Sequence, residues 1–328
     1  MELDKPFVRL PYKFDVDRLQ TELSQFNDAD WLAHPSGIRG NSAIPLVSQG
    51  GKNNNNFAGQ MQITESLTRC DYMLQSMAAF NEVIARSRLM RLDAGAEVSA
   101  HVDFNYHWYS RVRIHIPIVT NPDVQFYCGD QVRHMRAGEC WIFDSWRWHN
   151  VINKGAQDRV HLVVDVSGSA RFWEMVAKMS MLDPDDQDWH SQAHVNKVAY
   201  KESKQAPKLV TEQYNVAPVM APGEMHAIIK ELIADFSAQP SNQPEVIAEY
   251  SKLLYALSHD WRSLWLQHGF NAKGWPQYRA LLESTARQLR PNPRALITKS
   301  NEVGVNPIIM QRIIRAALNT DQSERFNN

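Results

Sequence analysis

Hydrophobic and polar positions change period twice along this chain. Between Val16 and Phe26, Leu19, Leu23 and Phe26 recur at helical spacing. From Thr64 to about Ala85 the same spacing links Leu67, Met73, Met77, Phe80, Val83 and Ile84, so both stretches predict helices. Phe7–Leu10 is a short strand candidate. A run of short segments follows at Ser87–Leu92, Arg111–Val119, Val124–Cys128, Gln131–Met135, Glu139–Phe143, Trp148–Ile152 and Arg159–Val166. Turn residues separate them, among them Asp93-Ala-Gly95, Asn121-Pro-Asp123, Gly129-Asp130 and Lys154-Gly155, a pattern that predicts a sandwich or barrel. After Ser169 the helical period returns over Ala170–Met181. Beyond a polar connector it resumes over Glu224–Ser237, Gln243–Ser258, Arg262–Gly269, Trp275–Arg290 and Val305–Leu318. The chain therefore reads as mainly β with α: a barrel domain with N-terminal helices over 1–182, a connector over 183–221, and a helical domain over 222–328. Residues 36–60, with Gly37, Gly40, Gly50, Gly51 and the run Asn53–Asn56, read as a loop. A surface loop is favoured there over a flap beside a site. The tail Asp321–Asn328 is polar.

Composition narrows the function classes. A formal net charge of −1 gives no bulk attraction to nucleic acid or anionic membrane. Asn306–Leu318, with Arg312 and Arg315, is accordingly read as a solvated helix face and not as a DNA reader. Cys70, Cys128 and Cys140 are too few and too scattered for a disulfide framework, which fits a reducing compartment. Neither a signal peptide nor an apolar run long enough to span a membrane is visible, so a cytoplasmic protein is expected.

Two strands carry a specific alternation. In Arg111-Val-Arg-Ile-His-Ile116 the arginines and His115 oppose Val112, Ile114 and Ile116. In Arg159-Val-His-Leu-Val-Val164, Arg159 and His161 oppose Val160, Leu162 and Val164. Either polar face taken alone is as well explained by water contact. Turned into a barrel, they would instead form a receptacle for a dicarboxylate. Just upstream lies His101-Val-Asp103, whose two side chains project to one side of an extended segment. His149 follows 46 residues after Asp103, and Arg159 ten residues later. Two imidazoles and a carboxylate form a ligand set suited to non-haem Fe(II) with coordination positions left open. His101, Asp103 and His149 are thus the candidate metal ligands and catalytic centre.

These segments, with Thr120-Asn-Pro-Asp-Val124, Ala137-Gly-Glu139, Trp141-Ile-Phe-Asp144 and His149-Asn-Val-Ile-Asn153, resemble the aspartyl/asparaginyl β-hydroxylase family of Fe(II)/2-oxoglutarate dioxygenases. The resemblance extends over about residues 84–166, and more weakly from about 30. It implies a double-stranded β-helix (jelly roll, cupin-like) with iron on His101, Asp103 and His149, and Arg159 paired to the distal carboxylate of 2-oxoglutarate. Arg113 and His115 are similar to further cosubstrate contacts, while Arg111 is assigned to cosubstrate or substrate. O₂ would be the co-reactant, ascorbate an accessory reductant, and succinate and CO₂ the products. Two positions depart from the vertebrate protein-modifying members: those lack the carboxylate matching Asp103, and a cosubstrate-binding serine there falls near Met90 here. The bacterial, proline hydroxylase-like branch is the better match, and some of its members also carry a helical C-terminal part.

The expected activity is hydroxylation of a C–H bond in an amino acid or in a residue of a peptide or protein. Trp108, Tyr109, Trp146 and Trp148 are candidates for the pocket wall, with core packing the preferred role for each. The rival readings are another cupin-type metalloenzyme and a non-catalytic interaction protein with a helical partner-binding module. Neither nucleic acid nor membrane is expected as partner. The substrate and the oligomeric state are not legible.

Overall fold

The computed structural model describes residues 2–34, 37–186, 188–202 and 207–321, so the polar tail from 322 onward lies outside the described residues. The chain opens with β1 (Phe7–Arg9), β2 (Tyr12–Phe14), α1 (Val16–Leu23), β3 (Leu32–Ala33), β4 (Asn41–Gln49) and β5 (Met61–Ile63). Next come α2 (Glu65–Thr68), α3 (Asp71–Ala78), β6 (Ile84–Leu92), β7 (Glu97–His101) and α4 (Tyr106–Tyr109). The middle of the chain supplies β8 (Val112–Val119), β9 (Val124–Cys128), β10 (Gln131–Arg133), β11 (Trp141–Phe143), β12 (His149–Asn153) and β13 (Arg159–Val166). After α5 (Ala170–Ser180) and β14 (Asn196–Val198) the helices α6 (Pro222–Ser237), α7 (Pro244–His268), α8 (Trp275–Arg287) and α9 (Val305–Ile308) follow.

Chain contacts divide the molecule into two units, Met1–Asp103 with Ser110–Asn215, and Phe104–Tyr109 with Val216–Asn328. The first unit is a jelly roll. Its larger sheet runs β1-β11-β8-β13-β6-β4-β3, with β5 on β4, and its smaller sheet runs β10-β9-β12-β7. Phe7, Leu92 and Trp141 from the large sheet meet Val124, Phe126, Cys128 and Val151 from the small one in a common apolar cluster between them. The outer face of the large sheet carries Ile114, Ile116, Leu162 and Val164 into a second core with Leu19 of α1, Met73 and Met77 of α3 and Phe172 of α5. Burying a strand on both faces is what lets its polar side serve as an interior wall. All eight residues of β13 are buried, so its polar side does not face water.

Several expectations need correction. The stretch 36–60 is not all loop, because it contains the nine-residue β4, which pairs with β6 and β5. Pro45 obscures this strand, and the pairing with β6 shifts register between Pro45 and Val47, which accommodates a residue without an amide proton. The single helix expected over 64–85 is two short ones. Thr64 caps α2 through its side chain, Cys70 leaves helical geometry, and the Glu22 carboxylate accepts the amides of Tyr72 and Met73 at the start of α3. The two helices expected over 243–269 are the continuous 25-residue α7, since His259 and Asp260 occupy its outer face while Leu257 and Trp261 stay buried. Part of the expected connector is structured as well, with β14 pairing in parallel with β2.

In the second unit α6 buries Met225, Ile228, Ile229, Leu232 and Phe236 at helical spacing, and Pro222 occupies its first turn. The Trp261 indole of α7 donates to the Met220 carbonyl. The inserted α4 is held by Tyr109 Oη donating to Glu231 (2.8 Å) and by Arg312 Nε donating to the Phe104 carbonyl (3.2 Å). Arg312 is therefore buried over the Tyr109 ring and does not present a solvated face.

Candidate metal and anion site

Strands β7 and β12 are antiparallel neighbours whose register sets His101 opposite His149, with ring centroids 4.2 Å apart. Asp103 lies two residues past His101, and its amide donates to the Ser145 carbonyl (2.9 Å). One Asp103 carboxylate oxygen stands 3.9 Å from His149 Nε2, and one ligand atom from each of the three residues lies within 4.8 Å of the others. Both imidazoles are oriented from behind. His101 Nδ1 meets the Ser99 carbonyl at 2.7 Å and His149 Nδ1 meets the Arg147 carbonyl at 2.9 Å. A backbone acceptor at Nδ1 fixes the proton there and leaves the Nε2 lone pair for a metal. Burial lowers the His149 pKa, with the Asp103 carboxylate opposing, so the ring is held neutral as ligation requires. These donors fit a divalent iron with open positions.

The inner face of β8 and β13 is rich in cations. Arg159 is 3% exposed, its Nε has no hydrogen-bond partner, and its guanidinium sits 5.5 Å from the centre of the Phe126 ring. Burial alone pushes its pKa down to about 10. Arg113 grips Asp165 in a bidentate pair (2.7 and 3.0 Å), and Arg86 approaches the same carboxylate at 3.5 Å. Arg88, fully buried beside Arg86 and Arg113, has its pKa lowered well below the ordinary value, by burial first and by those two charges next. Arg111, an open choice in the sequence, forms a buried bidentate pair with Glu212 (2.8 and 3.0 Å). His115 lies fully buried between Phe126 and Phe143.

Of the residues singled out in the sequence, His101, Asp103 and His149 come together. Arg159, Arg113 and His115 line the same barrel interior. Trp146 is buried, Trp148 is 46% exposed, and Trp108 and Tyr109 belong to the second unit. Sequence reasoning missed Arg86, Arg88 and Asp165. The signal available for the arginines was the alternation Arg86-Ser-Arg88, the same pattern that marked Arg111 and Arg113. It also under-weighted the asparagine run. Asn55 accepts from Arg86 through its carbonyl and from Arg88 through its side chain (both 3.1 Å), and Phe57 stacks on Arg86 (3.9 Å).

Residues 18–168 match the model of the family described as Aspartyl/Asparaginyl beta-hydroxylase. This part of the chain, a little under half of it, is similar to that family. No curated protein matches. Among solved structures, a Pseudomonas putida prolyl-4-hydroxylase is similar at 15% identity, covering 50% of this chain and 92% of its own, with a TM-score of 0.35. An oxidoreductase of the 2OG-Fe(II) oxygenase family from Burkholderia pseudomallei shows 13% identity, covering 47% and 78%, with a TM-score of 0.33. HygX from Streptomyces hygroscopicus, with nickel, 2-oxoglutarate and hygromycin B bound, shows 12% identity, covering 49% and 82%, with a TM-score of 0.33. His101, Asp103 and His149 all lie inside the matched segment.

Buried histidines give this domain a pH dependence. Burial lowers the pKa values of His115, His149 and His161, and takes His34 down to about 4. Below the unperturbed value near 6.5 the unfolded chain takes up protons that the folded chain refuses, so stability falls as pH falls. His115 and His161, both fully buried, each contribute a slope of up to about 1.4 kcal/mol per pH unit. The raised carboxyls of Glu22 and Asp144 act in the opposite sense. Urea denaturation of the metal-free protein should give a clearly lower unfolding free energy at pH 5.5 than at pH 7.5. Equal values would mean these histidines are not neutral in the folded state.

Proposed function

We propose that the chain is an Fe(II)- and 2-oxoglutarate-dependent hydroxylase. In this reading His101, Asp103 and His149 hold the iron, and Arg159 holds the distal carboxylate of the cosubstrate. The observation that carries it is Arg159, a guanidinium buried without an acidic partner among the described residues, in the barrel that holds the triad. An uncompensated buried cation is costly, and a bidentate carboxylate is the partner its planar fork matches. His115 lies between the two halves: it shares Phe143 with His149 (5.1 and 5.0 Å) and Phe126 with Arg159 (5.8 and 5.5 Å). Bound Fe(II) and 2-oxoglutarate supply an oxidant made from O₂, with succinate and CO₂ as co-products. The chain's own part is to orient and to exclude water. The carbonyls of Ser99 and Arg147 fix the ligand rings, and Phe126 and Phe143 cover the inner wall.

The substrate we infer is an amino acid, or a residue in a peptide, that carries a carboxylate. Arg86, Arg88 and Arg113 crowd together around Asp165, with Asp103 also acting on Arg86 and Arg88, so three guanidiniums stand against two carboxylates, one of them a candidate metal ligand. Succinate formation under air with Fe(II) and ascorbate, against a panel of acidic and neutral amino acids and short peptides, tests this. Turnover that requires an acidic member supports both parts. Failure of the wild type to bind 2-oxoglutarate sinks the reading.

Arg159→Leu separates cost from use. Affinity for 2-oxoglutarate should fall at least about 100-fold, as for a lost charge-assisted bidentate pair. In the absence of ligand the same variant should be more stable by about 1–3 kcal/mol, because a buried unpaired charge is gone. Calorimetric titration and urea denaturation measure the two effects, and a loss of stability would contradict an anion-receiving role.

A further inference from the structure

Three nitrogen-bearing side chains surround the Phe126 ring. His161 stacks on it (5.3 Å, 21°), Arg159 lies over it (5.5 Å), and His115 meets it edge-on (5.8 Å). His161 is wholly buried two residues along β13 from Arg159, and His115 reaches it from the neighbouring β8. Their Nδ1 atoms face each other at 3.4 Å, the long end of hydrogen-bond range, while both Nε2 atoms are buried without a partner. Two facing Nδ1 atoms hold one proton between neutral rings. The pair therefore presents one Nε2–H donor and one Nε2 lone pair, and the direction of the shared bond decides which ring carries which.

The surroundings of the two rings differ. Arg159, His115 and His134, none of them an acid, act on His161, and its buried Nε2 meets no acceptor among the described residues, so a lone pair beside the guanidinium is preferred there to an Nε2–H. His115 has Arg113, Arg159 and His149 around it and also the Asp165 carboxylate, and on the hydroxylase reading it stands where an anion is received. We infer that His161 donates its Nδ1–H to His115 Nδ1 and so holds His115 in the tautomer whose Nε2–H points into the cosubstrate pocket. His161 is thus a positioning residue that acts through His115. This inference rests on the hydroxylase reading for the identity of the anion, but the tautomer itself does not depend on it.

The test uses the full chain. Nitrogen-15 NMR of labelled imidazoles reports the His115 tautomer, and calorimetry with Mn(II) in place of Fe(II) reports 2-oxoglutarate binding without turnover. Wild type should show His115 protonated at Nε2. His161→Leu, apolar and of similar bulk, should mix the tautomers and weaken 2-oxoglutarate about tenfold, the size of one hydrogen bond to a charged group. Mn(II) affinity should stay unchanged. His161→Asn, which keeps a donor near the Nδ1 position, should restore most of the affinity. His115 protonated at Nδ1 in wild type, or equal 2-oxoglutarate affinity in His161→Leu, overturns the inference. Should wild type itself not bind 2-oxoglutarate, the hydroxylase reading fails and the cosubstrate role with it, while the tautomer signal still decides whether His161 orients His115.

Discussion

Replacing His149 with alanine should remove Fe(II) binding and turnover together. The three candidate ligand atoms lie within 4.8 Å of one another, and His149 contributes the most buried of them. Without it His101 and Asp103 remain, both partly exposed, and water would have to fill the vacated position. Loss of a residue that merely orients a ligand already costs about 10–100-fold in metal affinity, so loss of a ligand should cost at least about 100-fold. Succinate production should drop to background at any practical iron concentration. Calorimetry with Mn(II) checks the first effect and a succinate assay the second. Near-wild-type metal affinity in His149→Ala would place the metal elsewhere and remove the basis of the hydroxylase proposal. Asp103→Asn is the informative companion, because it keeps shape and hydrogen bonding while removing the charge that opposes the fall in the His149 pKa. It should weaken the metal less than His149→Ala does.

How much of this was readable in the sequence depends on how local each feature is. His101 and Asp103 are two apart and His149 follows after a set of short strands; that spacing is a weak signal by itself, and the joint pattern with Arg159 and the family resemblance pointed to a shared site. The antiparallel register of β7 and β12 then supplies the meeting of His101 and His149. The alternation in β8 and β13 was visible too, but not the choice between water and interior for the polar face. That choice is made by the small sheet, whose Phe126 covers Arg159, His161 and His115. β4 was missed because Pro45 and flanking glycines mimic a loop, although Ala43, Ile44, Leu46 and Val47 are all buried. The partners of the arginines were out of reach. Arg111 and Glu212 are 101 residues apart, and Arg113 meets Asp165 because they are register partners across β8 and β13. No local pattern encodes a register, which the packing of whole sheets decides.

That register pair carries the largest expected effect on folding. Asp165 is completely buried, bonded to Arg113 through both oxygens and approached by Arg86. Asp165→Ala leaves the buried Arg86 and the partly buried Arg113 without this carboxylate, with Arg88 adding a third like charge close by. Breaking a buried pair from one side costs about 3–5 kcal/mol, because the remaining charge keeps its desolvation penalty and loses its partner. Urea denaturation at neutral pH should show that loss as a lower midpoint with little change in slope. The double variant Asp165→Leu with Arg113→Leu should recover most of it, since replacing both members by apolar groups removes both penalties. Were the anion reading correct, a dicarboxylate added to Asp165→Ala should raise its stability more than it raises that of wild type, because the freed arginines bind it in the folded state only. Recovery by the double variant without any dicarboxylate effect would make Asp165 a structural counter-ion alone. No stability loss in Asp165→Ala would mean that water reaches these arginines and that the interior is not the dry, positively charged chamber on which the proposed chemistry depends.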